Sequence, residues 1–350
     1  MTVRLPTDHR GRTIQGRCVM RRHLSWLVIA MIIAAGLAAP GQAQQPLPIR
    51  IAWQPYNAVI FYTARDLKLF ERVGLQPEYI RFTAGPPQFA AFRSDSVDVG
   101  LFGTAGMVVG ASQELDYRNF YIQIASNYAD GLVVRPESGI TRLQDLRGKR
   151  IAFVRGTSAH LGLIKALQRG GLTPADVTMI HMDVTAMAPA FANRDVDAAY
   201  SWEPWISRMQ EAGGRVLVRS NQVGLNTSDH WVARTAWVQR NPRAVLLMLK
   251  AIDLGLEEFR KSPSVAVRAT AENLGVTETI AKRIVEINPV ISLEQLVDPK
   301  FELSLLPGGG AQRMIQEVGD FLLQQGIIRS PIDASKIVEG SYIQAYLRTR

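Results

Sequence analysis

Two short loops of this 350-residue chain carry the residue types that bind anions. Gly103-Thr104-Ala105-Gly106 and Gly156-Thr157-Ser158-Ala159 each follow an apolar run and supply glycine, a hydroxyl and small residues where a helix is predicted to begin. Free backbone N–H groups and the positive end of a helix dipole favour an anion at such a place. Thr104, Thr157 and Ser158 could equally be helix N-caps, a role these residue types fill routinely.

Aromatic and acidic residues mark other places where a ligand could lie. Gln54-Pro55-Tyr56-Asn57 follows the first predicted strand, and Trp202-Glu203-Pro204-Trp205 follows a later one. An indole beside a carboxylate suits an apolar linker or a cationic group. Asp229 could pair with an ammonium group. The alternatives are a plain turn at Gln54, a core position for Trp202 and a turn role for Asp229.

The segments that must position these residues occur twice, about 100 residues apart. The matched stretches are Arg50-Ile51-Ala52-Trp53 with Arg150-Ile151-Ala152-Phe153, Gly74-Leu75-Gln76-Pro77 with Gly171-Leu172-Thr173-Pro174, and Val97-Asp98-Val99 with Val196-Asp197-Ala198. Landmarks that keep their order at a nearly constant offset indicate two copies of one supersecondary unit. The two glycine-hydroxyl loops are interpreted as equivalent points of these copies.

Each copy reads as alternating strands and helices, which predicts a mostly parallel sheet covered on both faces. The predicted strands are 49–53, 77–82 and 97–101 in the first copy, 150–154, 177–182 and 198–202 in the second, and 121–125, 132–134 and 230–234 outside them. The strands flanking the second copy are predicted to connect two lobes. Predicted helices at 237–252, 266–274, 279–287 and 312–325 are expected to pack on the first lobe. Open α/β sheets bind ligands at their carboxyl edges, so two facing lobes would form a cleft that closes on a ligand.

The N-terminus has the pattern of a secretory signal peptide. Met20-Arg21-Arg22-His23 precedes an apolar run over 24–39, and Gly41-Gln42-Ala43 offers small residues, so cleavage is expected after Ala43 and Met20 is the expected initiator. Without residues 1–43, which hold six arginines and one aspartate, the net charge falls from +9 to +4. The single cysteine, Cys18, also precedes the cleavage point, so no disulfide and no thiol nucleophile are expected afterwards.

Binding is favoured over catalysis by the residues after Ala43. No Lys/Arg cluster is interleaved with aromatic residues, so nucleic-acid binding is not expected. His160, His181 and His230 lack the spacing of metal ligands, and neither a nucleophile elbow nor a phosphate-binding glycine motif occurs. We therefore expect no cofactor and no metal.

Four stretches make residues 49–323 resemble the solute-binding proteins of nitrate/sulfonate/taurine-type ABC importers, a family that includes thiamine-precursor binders. The stretches are Ser94–Gly100, Asp145–Ala152, Asp197–Pro204 and Thr227–Val232. The resemblance implies an α/β fold like that of type II periplasmic binding proteins, with two α/β lobes, a ligand cleft and a two-strand hinge. The expected division is a leader at 1–43, lobe 1 at 44–130 and 235–350, and lobe 2 at 131–234.

Within this family the taurine binders are most similar. That likeness implies that Thr104, Thr157 and Ser158 donate to a sulfonate, that Trp202 covers a two-carbon linker and that Asp229 pairs with the amine. The remaining expected ligand-binding residues are Gln54, Tyr56, Asn57, Ala105 and Glu203. Glu203 departs from the taurine binders, which have a small residue there, so either it turns away from the ligand or the ligand carries positive charge.

The resemblance also implies a location and partners. We expect a periplasmic monomer that captures a small anionic or zwitterionic solute and delivers it to an ABC permease with its ATPase. Binders of nitrate or of a thiamine-pyrimidine precursor are the alternatives, followed by an enzyme of pyrimidine synthesis on the same fold and an exported sensor.

Overall fold

The computed structural model describes residues 45–56, 58–126 and 128–350. These residues form two five-stranded sheets, one in each of two lobes. The strands are β1 (Leu47–Trp53), β2 (Leu75–Arg81), β3 (Val99–Gly103), β4 (Tyr117–Ala125), β5 (Asp130–Val134), β6 (Arg150–Phe153), β7 (Thr178–His181), β8 (Ala198–Trp202), β9 (Arg215–Arg219) and β10 (Ser228–Arg234). The predicted leader, residues 1–43, lies outside the described residues.

The first sheet has the order β2-β1-β3-β10-β4. Its strand β1 pairs in parallel with β2, where Ile51 lies opposite Tyr79, and with β3. Strand β10 runs antiparallel between β3 and β4, so four of the five strands point the same way. The prediction of a mostly parallel sheet is confirmed.

The second sheet, β7-β6-β8-β5-β9, repeats this arrangement, with β5 as the antiparallel strand between β8 and β9. The duplicated sequence stretches occupy the same positions in the two sheets. The backbone N–H of Arg50 donates to Asp98 Oδ2 at 2.9 Å, and that of Arg150 donates to Asp197 Oδ2 at 2.9 Å. The matched Arg and Asp residues therefore tie the same two strands together in each lobe.

The chain crosses from the first sheet to the second between β4 and β5 and returns between β9 and β10, and this corrects two expectations. Strand β10, expected in lobe 2 and in the hinge, is a fully buried interior strand of the first sheet. Asp130, expected in lobe 1, begins β5 in the second sheet. Both crossings leave and enter at the edge that faces the other lobe, so the entering strand must run antiparallel to its neighbours. The crossings are linked by a 2.8 Å bond from Ser126 N–H to the Thr227 carbonyl.

Helices cover the sheets and fill the C-terminal part of the chain. They are α1 (Val59–Asp66), α2 (Leu69–Arg72), α3 (Gln88–Arg93), α4 (Thr104–Ser112), α5 (Ser158–Arg169), α6 (Val184–Ala192), α7 (Trp205–Glu211), α8 (Thr235–Arg240), α9 (Pro242–Lys261), α10 (Pro263–Leu274), α11 (Glu278–Glu286), α12 (Leu293–Leu296), α13 (Gly310–Gln324) and α14 (Ser341–Thr349). The single helix predicted over 237–252 is instead two, because Pro242 has no N–H to continue a helix and begins a new one.

The C-terminal helices pack on the first lobe, as predicted. Helix α9 contacts α1, and α13 contacts α4, where Gly319 lies close to Val108. Helix α7 and strand β9 were not predicted. No helix in the described part of the chain is long and apolar enough to cross a membrane.

Candidate functional site

A cavity of about 40 Å³ lies between the lobes, where the carboxyl edges of the two sheets face each other. Seven of the ten predicted ligand-binding residues line it: Gln54, Tyr56, Thr157, Ser158, Trp202, Glu203 and Asp229. The other lining residues are Gly85, Gly103, Gly106, Ser126, Ala129, Asp130 and Thr227. Asn57 lies outside the described residues, and Thr104 and Ala105 do not line the cavity.

Two helices begin at this cavity, one from each lobe. Gly103 is the N-cap of α4 and Thr157 is the N-cap of α5, and neither helix has a side-chain cap hydrogen bond. The first N–H groups of a helix have no partner within the helix. A Cβ atom on Gly106 would lie 3.9 Å from the Gly156 carbonyl oxygen, so the two loops are neighbours. The predicted pair of helix N-termini therefore borders a single cavity.

The two loops are not equivalent points of the duplication, contrary to expectation. Gly103 ends β3, whose counterpart in the second sheet is β8, whereas Gly156 follows β6, whose counterpart is β1. The true counterparts of the two loops are therefore Trp202–Trp205 and residues 54–57. The two loops have similar composition, but the constant offset of the duplication does not relate them. The loops still meet because every one of these four strands ends at the cleft.

The Thr104 side chain points away from the cavity. Its hydroxyl accepts a hydrogen bond from the Ser228 N–H at 3.0 Å and lies 3.0 Å from Nε2 of His230. His230 is fully buried, and burial lowers its pKa to about 3, so its ring is neutral. Ala105 is also fully buried. The expected sulfonate contact through the Thr104 hydroxyl is not possible in this geometry, and only the backbone of this loop faces the site.

Thr157 and Ser158 do line the cavity, with different roles. The Thr157 hydroxyl donates to the Val154 carbonyl at 2.8 Å, which uses its proton inside the loop. The Ser158 hydroxyl lies near the carboxyl group of Asp130 and lowers the pKa of that group. The donors that remain for an anion at this helix are chiefly backbone N–H groups at its N-terminus.

Gln54 and Tyr56 close the first-lobe side of the cavity. Gln54 is 6% exposed, and its Oε1 has no hydrogen-bond partner among the described residues. The Tyr56 hydroxyl accepts from Gln123 Nε2 at 2.8 Å, so its own proton is free to donate to a ligand. Burial raises the pKa of this phenol well above its ordinary value, which keeps it protonated.

Trp202 and Glu203 are adjacent in sequence, but the polar group of Trp202 is free to meet a ligand whereas that of Glu203 is bonded within the protein. Trp202 is 7% exposed, and its indole N–H has no partner in the part of the chain that the structure describes. Glu203 is fully enclosed: one carboxylate oxygen accepts from the Ser207 hydroxyl at 2.6 Å and from its N–H at 3.1 Å. The other oxygen accepts from Arg219 at 3.3 Å. The Glu203 oxygens are thus already bonded within the protein, which matches the alternative in which this residue turns away from the ligand.

Asp229 lies near the start of β10 and faces the cavity. Its Oδ2 accepts a 2.5 Å hydrogen bond from the Ser126 hydroxyl, and its Oδ1 lies beside Gly103. Burial raises the pKa of this carboxyl well above its ordinary value, and the charge of Asp130 raises it further. No described Lys or Arg side chain forms an ion pair with it.

Asp130 is the functional candidate that the sequence reading missed. It is 3% exposed, and its Oδ2 has no partner among the described residues. Burial raises its pKa to about 7, against the smaller opposing effects of Ser158 and Arg219. A signal was present: Asp130 and Asp229 are 99 residues apart, the spacing that separates Phe92 from Phe191.

The described residues do not provide a set of metal ligands. The described residues hold no group of three or more His, Cys, Asp and Glu side chains placed to bind a metal ion. His160, in the first turn of α5, packs on Phe153 with 4.7 Å between ring centroids and does not line the cavity.

Two lobes that close on a small cavity of helix N-termini, aromatic rings and carboxyl groups define a two-lobed binding-protein fold. Residues 56–266 match the family model described as NMT1/THI5 like, which covers more than half of the chain. The chain belongs to this family.

Curated relatives extend over nearly the whole chain. A putative aliphatic sulfonates-binding protein of Bacillus subtilis (strain 168) is 26% identical over 339 residues, which are 94% of this chain and 97% of the relative. The taurine-binding periplasmic protein of Escherichia coli (strain K12) is 26% identical over 323 residues, 89% of this chain and 98% of the relative.

A solved structure shares the fold. The alkanesulfonate-binding protein from Xanthomonas axonopodis pv. citri, bound to MOPS, superposes with a TM-score of 0.72 at 21% identity. The match covers 84% of this chain and 99% of that one. The expected two-lobed α/β fold is confirmed.

Proposed function

We propose that this protein is the extracytoplasmic solute-binding component of an ABC importer and that it captures a small sulfonate, with taurine favoured. The observation that carries the proposal is the cavity in which two helix N-termini from opposite lobes lie beside Trp202 and Asp229. Its curated relatives carry names of sulfonate- and taurine-binding proteins, which supports the same conclusion.

The helix N-termini of α4 and α5 suit the sulfonate end. A sulfonate is a permanent anion with three acceptor oxygens, so it can accept from several N–H groups at once. The two termini come from different lobes, so one anion between them stabilises the closed arrangement. Gly103 and Gly106 leave the backbone of α4 open to close approach.

The opposite end of the ligand meets an aromatic ring and a carboxyl group. The Trp202 ring offers an apolar surface for a short carbon linker, and Asp229 offers a carboxylate for an ammonium group. Micromolar affinity requires only about 8 kcal/mol, which a few charge-assisted hydrogen bonds in a closed site can supply.

Delivery follows from the fold. We assign residues 46–56, 58–126 and 228–350 to one lobe and residues 128–227 to the other. Closure on the solute gives a permease a shape to recognise, which links binding to transport without any chemical change in the solute. The leader at 1–43 would place the protein in the periplasm, as the name of the taurine-binding relative states for that protein.

An enzyme on the same fold is the competing class. Cys, Lys and His are absent from the described residues that line the cavity, so the site has no thiol or amine nucleophile and no histidine base there. The donors and the two carboxyl groups are arranged to hold a solute, and we favour binding for this reason.

Calorimetry with the purified protein tests the proposal. Taurine, ethanesulfonate, nitrate and an aminopyrimidine are titrated, and each solute is recovered and analysed by mass spectrometry. We expect micromolar or tighter binding of taurine, weaker binding of nitrate, and unchanged solute. Selective binding of the aminopyrimidine, or a chemically altered solute, would refute the sulfonate-receptor assignment.

A further inference from the structure

Three carboxyl groups border the cavity, and only one of them is neutralised. Glu203 pairs with Arg219 at 3.3 Å. Asp130 and Asp229 form no ion pair with a described basic side chain, although they are 3% and 6% exposed. Burying an ionised carboxyl group without a cationic or hydrogen-bonding partner costs free energy of folding. Two such groups at one cavity therefore indicate that a bound solute supplies the partner.

Asp130 and Asp229 approach the cavity from opposite lobes. Asp130 lies at the start of β5, opposite Trp202 of β8, and Asp229 lies near the start of β10, opposite Gly103 of β3. Asp130 and Asp229 are 99 residues apart, and so are Gly103 and Trp202, which is the offset between the two copies of the duplicated unit. The two acids are therefore the same structural position in the two lobes, and they meet at the cavity.

The hydrogen bonds leave both groups able to accept more donors. Asp229 accepts a hydrogen bond from the Ser126 hydroxyl through Oδ2, and the nearby Ser158 hydroxyl lowers the pKa of Asp130. Oδ2 of Asp130 is buried and has no partner among the described residues. This is an unsatisfied acceptor at the wall of a solute site, where an N–H donor from the solute could reach it.

We propose that the cavity selects a solute with a cationic end bearing at least two N–H donors, held by Asp130 and Asp229 together so that it bridges the lobes. This inference rests on the proposed function and adds a second, inter-lobe partner for the cation. Simple alkanesulfonates lack such a group and leave both acids without a partner.

The charges around the pair agree with this assignment. Arg219 is the basic residue whose charge acts on Asp130, but its guanidinium already donates to Glu203 and to the Tyr128 carbonyl. Arg283 lies 3.9 Å from the same Glu203 oxygen that Arg219 contacts. The phenols that face the two acids, Tyr56 beside Asp229 and Tyr200 beside Asp130, stay neutral because burial raises their pKa.

Proton linkage gives the proposal an observable sign. Burial raises the pKa of both carboxyl groups, and the charge of Asp130 raises that of Asp229 further. An ammonium group favours their ionised forms, so a cationic solute releases protons when it binds. A purely anionic solute favours the protonated forms and takes protons up.

The test compares three solutes that differ in one group: taurine, 2-hydroxyethanesulfonate and ethanesulfonate. Calorimetry at pH 6.5 in two buffers of different ionisation enthalpy measures affinity and the number of protons exchanged. We expect taurine to bind at least about 30-fold more tightly than the other two and to release protons. Equal affinities, or proton uptake with taurine, would overturn the cation site while leaving a sulfonate receptor intact.

Variants assign the effect to the two acids. Asp130→Asn and Asp229→Asn should each weaken taurine binding at least about 10-fold and change 2-hydroxyethanesulfonate binding by less than about 3-fold. Asp195→Asn, an exposed acid on the second lobe, is the matched control and should change neither. Taurine affinity that survives Asp130→Asn in a folded variant would remove Asp130 from the site.

Failure of the proposed function is a separate outcome. If no sulfonate binds, propylamine and β-alanine, which carry the ammonium group but no sulfonate, are titrated in the same way. Binding of either, lost in both Asp variants, would support the cation site without the sulfonate receptor. No binding of either would overturn both.

Discussion

Arg283 of the first lobe donates a hydrogen bond across the cleft to the Ser207 hydroxyl of the second lobe, at 2.5 Å. The same guanidinium lies 3.9 Å from Glu203. Elsewhere between the lobes, the Thr83 hydroxyl donates to Asp183 at 2.8 Å. These contacts form only when the lobes are together, so the structure is a closed conformation held by more than the ligand site.

Replacement of Arg283 by Ala should therefore weaken ligand binding although Arg283 does not line the cavity. Loss of one charge-assisted hydrogen bond costs about 1 kcal/mol at a half-exposed position, which is about a 5-fold loss in affinity. The loss should appear mainly in the dissociation rate, because the contact forms after the solute has bound. Stopped-flow tryptophan fluorescence with taurine measures both rates.

Lys282→Ala is the matched control, since Lys282 is on the same helix and its ion pair, with Glu286, is exposed. Thr83→Ala removes the other contact and should add its own, similar effect. The neighbouring choice, Asp183, is less suitable because it also caps α6 through the Thr185 N–H. Unchanged dissociation rates in both Arg283→Ala and Thr83→Ala would show that these contacts do not hold the closed state.

Glu203→Gln should lower stability more than it lowers affinity. The Glu203 carboxylate is fully buried and holds Arg219, Ser207 and the first turn of α7. Removing one partner of a buried ion pair typically costs about 3 kcal/mol. Urea unfolding should show this loss, whereas Glu211→Gln, an exposed change on the same helix, should show almost none. A larger effect on taurine binding than on unfolding would return Glu203 to the ligand-binding set.

Relative to the Asp130→Asn variant, the ligand-free protein should lose stability as the pH rises from 6.5 to 8. Burial raises the pKa of Asp130 to about 7, so the folded protein keeps a proton there that the unfolded chain, with an ordinary Asp, has already lost. Raising the pH removes that proton from the folded state and leaves a buried charge. Integration of the proton difference over this window gives about 1 kcal/mol, which urea unfolding at several pH values can detect.

Comparison with Asp130→Asn separates Asp130 from the buried histidines. Burial lowers the pKa of His160 to about 4 and of His230 to about 3, so their contribution has the opposite sign and is lost as the pH falls below about 6.5. In the unfolded chain both histidines still lose protons between pH 6.5 and 8, which offsets the Asp130 effect in the wild-type protein but is the same in Asp130→Asn. The wild-type protein should therefore lose about 1 kcal/mol relative to Asp130→Asn over this range, and a difference that stays constant would show that Asp130 holds no proton in the folded protein.

Much of the fold could be predicted from the sequence because the same sequence stretches occur twice and form the same strands and contacts in both lobes. The Arg and Asp of each copy, Arg50 with Asp98 and Arg150 with Asp197, form the same backbone-to-carboxylate bond in both lobes. Repeated apolar strands could be read directly. The lobe assignment of β10 could not, because a strand that returns from one lobe looks like any other apolar strand until its partners are known.

The site was only partly predictable for a related reason. Thr104 belongs to a loop with the composition of an anion-binding site, but its hydroxyl contacts Ser228 and His230. These residues are far away in the sequence, so the contacts could not be predicted from it. Asp130 follows an irregular crossing and reads as a turn residue. Its place beside Asp229 becomes visible only when the 99-residue offset is extended to the antiparallel strands.

The assignment of the sulfonate to backbone N–H groups can be tested at the first residue of α5. Thr157, the residue before it, has an extended conformation with φ −124° and ψ 176°, which tolerates a following proline. Proline also suits the first helical position, where its fixed φ matches the helix and the missing N–H has no helical partner. Ser158→Pro should therefore fold while lacking one N–H at the cavity.

Ser158→Ala is the matched control, because it removes the hydroxyl that lies near Asp130 and keeps the N–H. Loss of one charge-assisted hydrogen bond to the sulfonate is worth about 2 kcal/mol, so Ser158→Pro should bind taurine about 30-fold more weakly than Ser158→Ala. Melting curves check that both variants are folded. Equal affinities in the two variants would mean that the N-terminus of α5 does not hold the anion, and the sulfonate would then belong at the N-terminus of α4, where Gly103 and Gly106 face the same cavity.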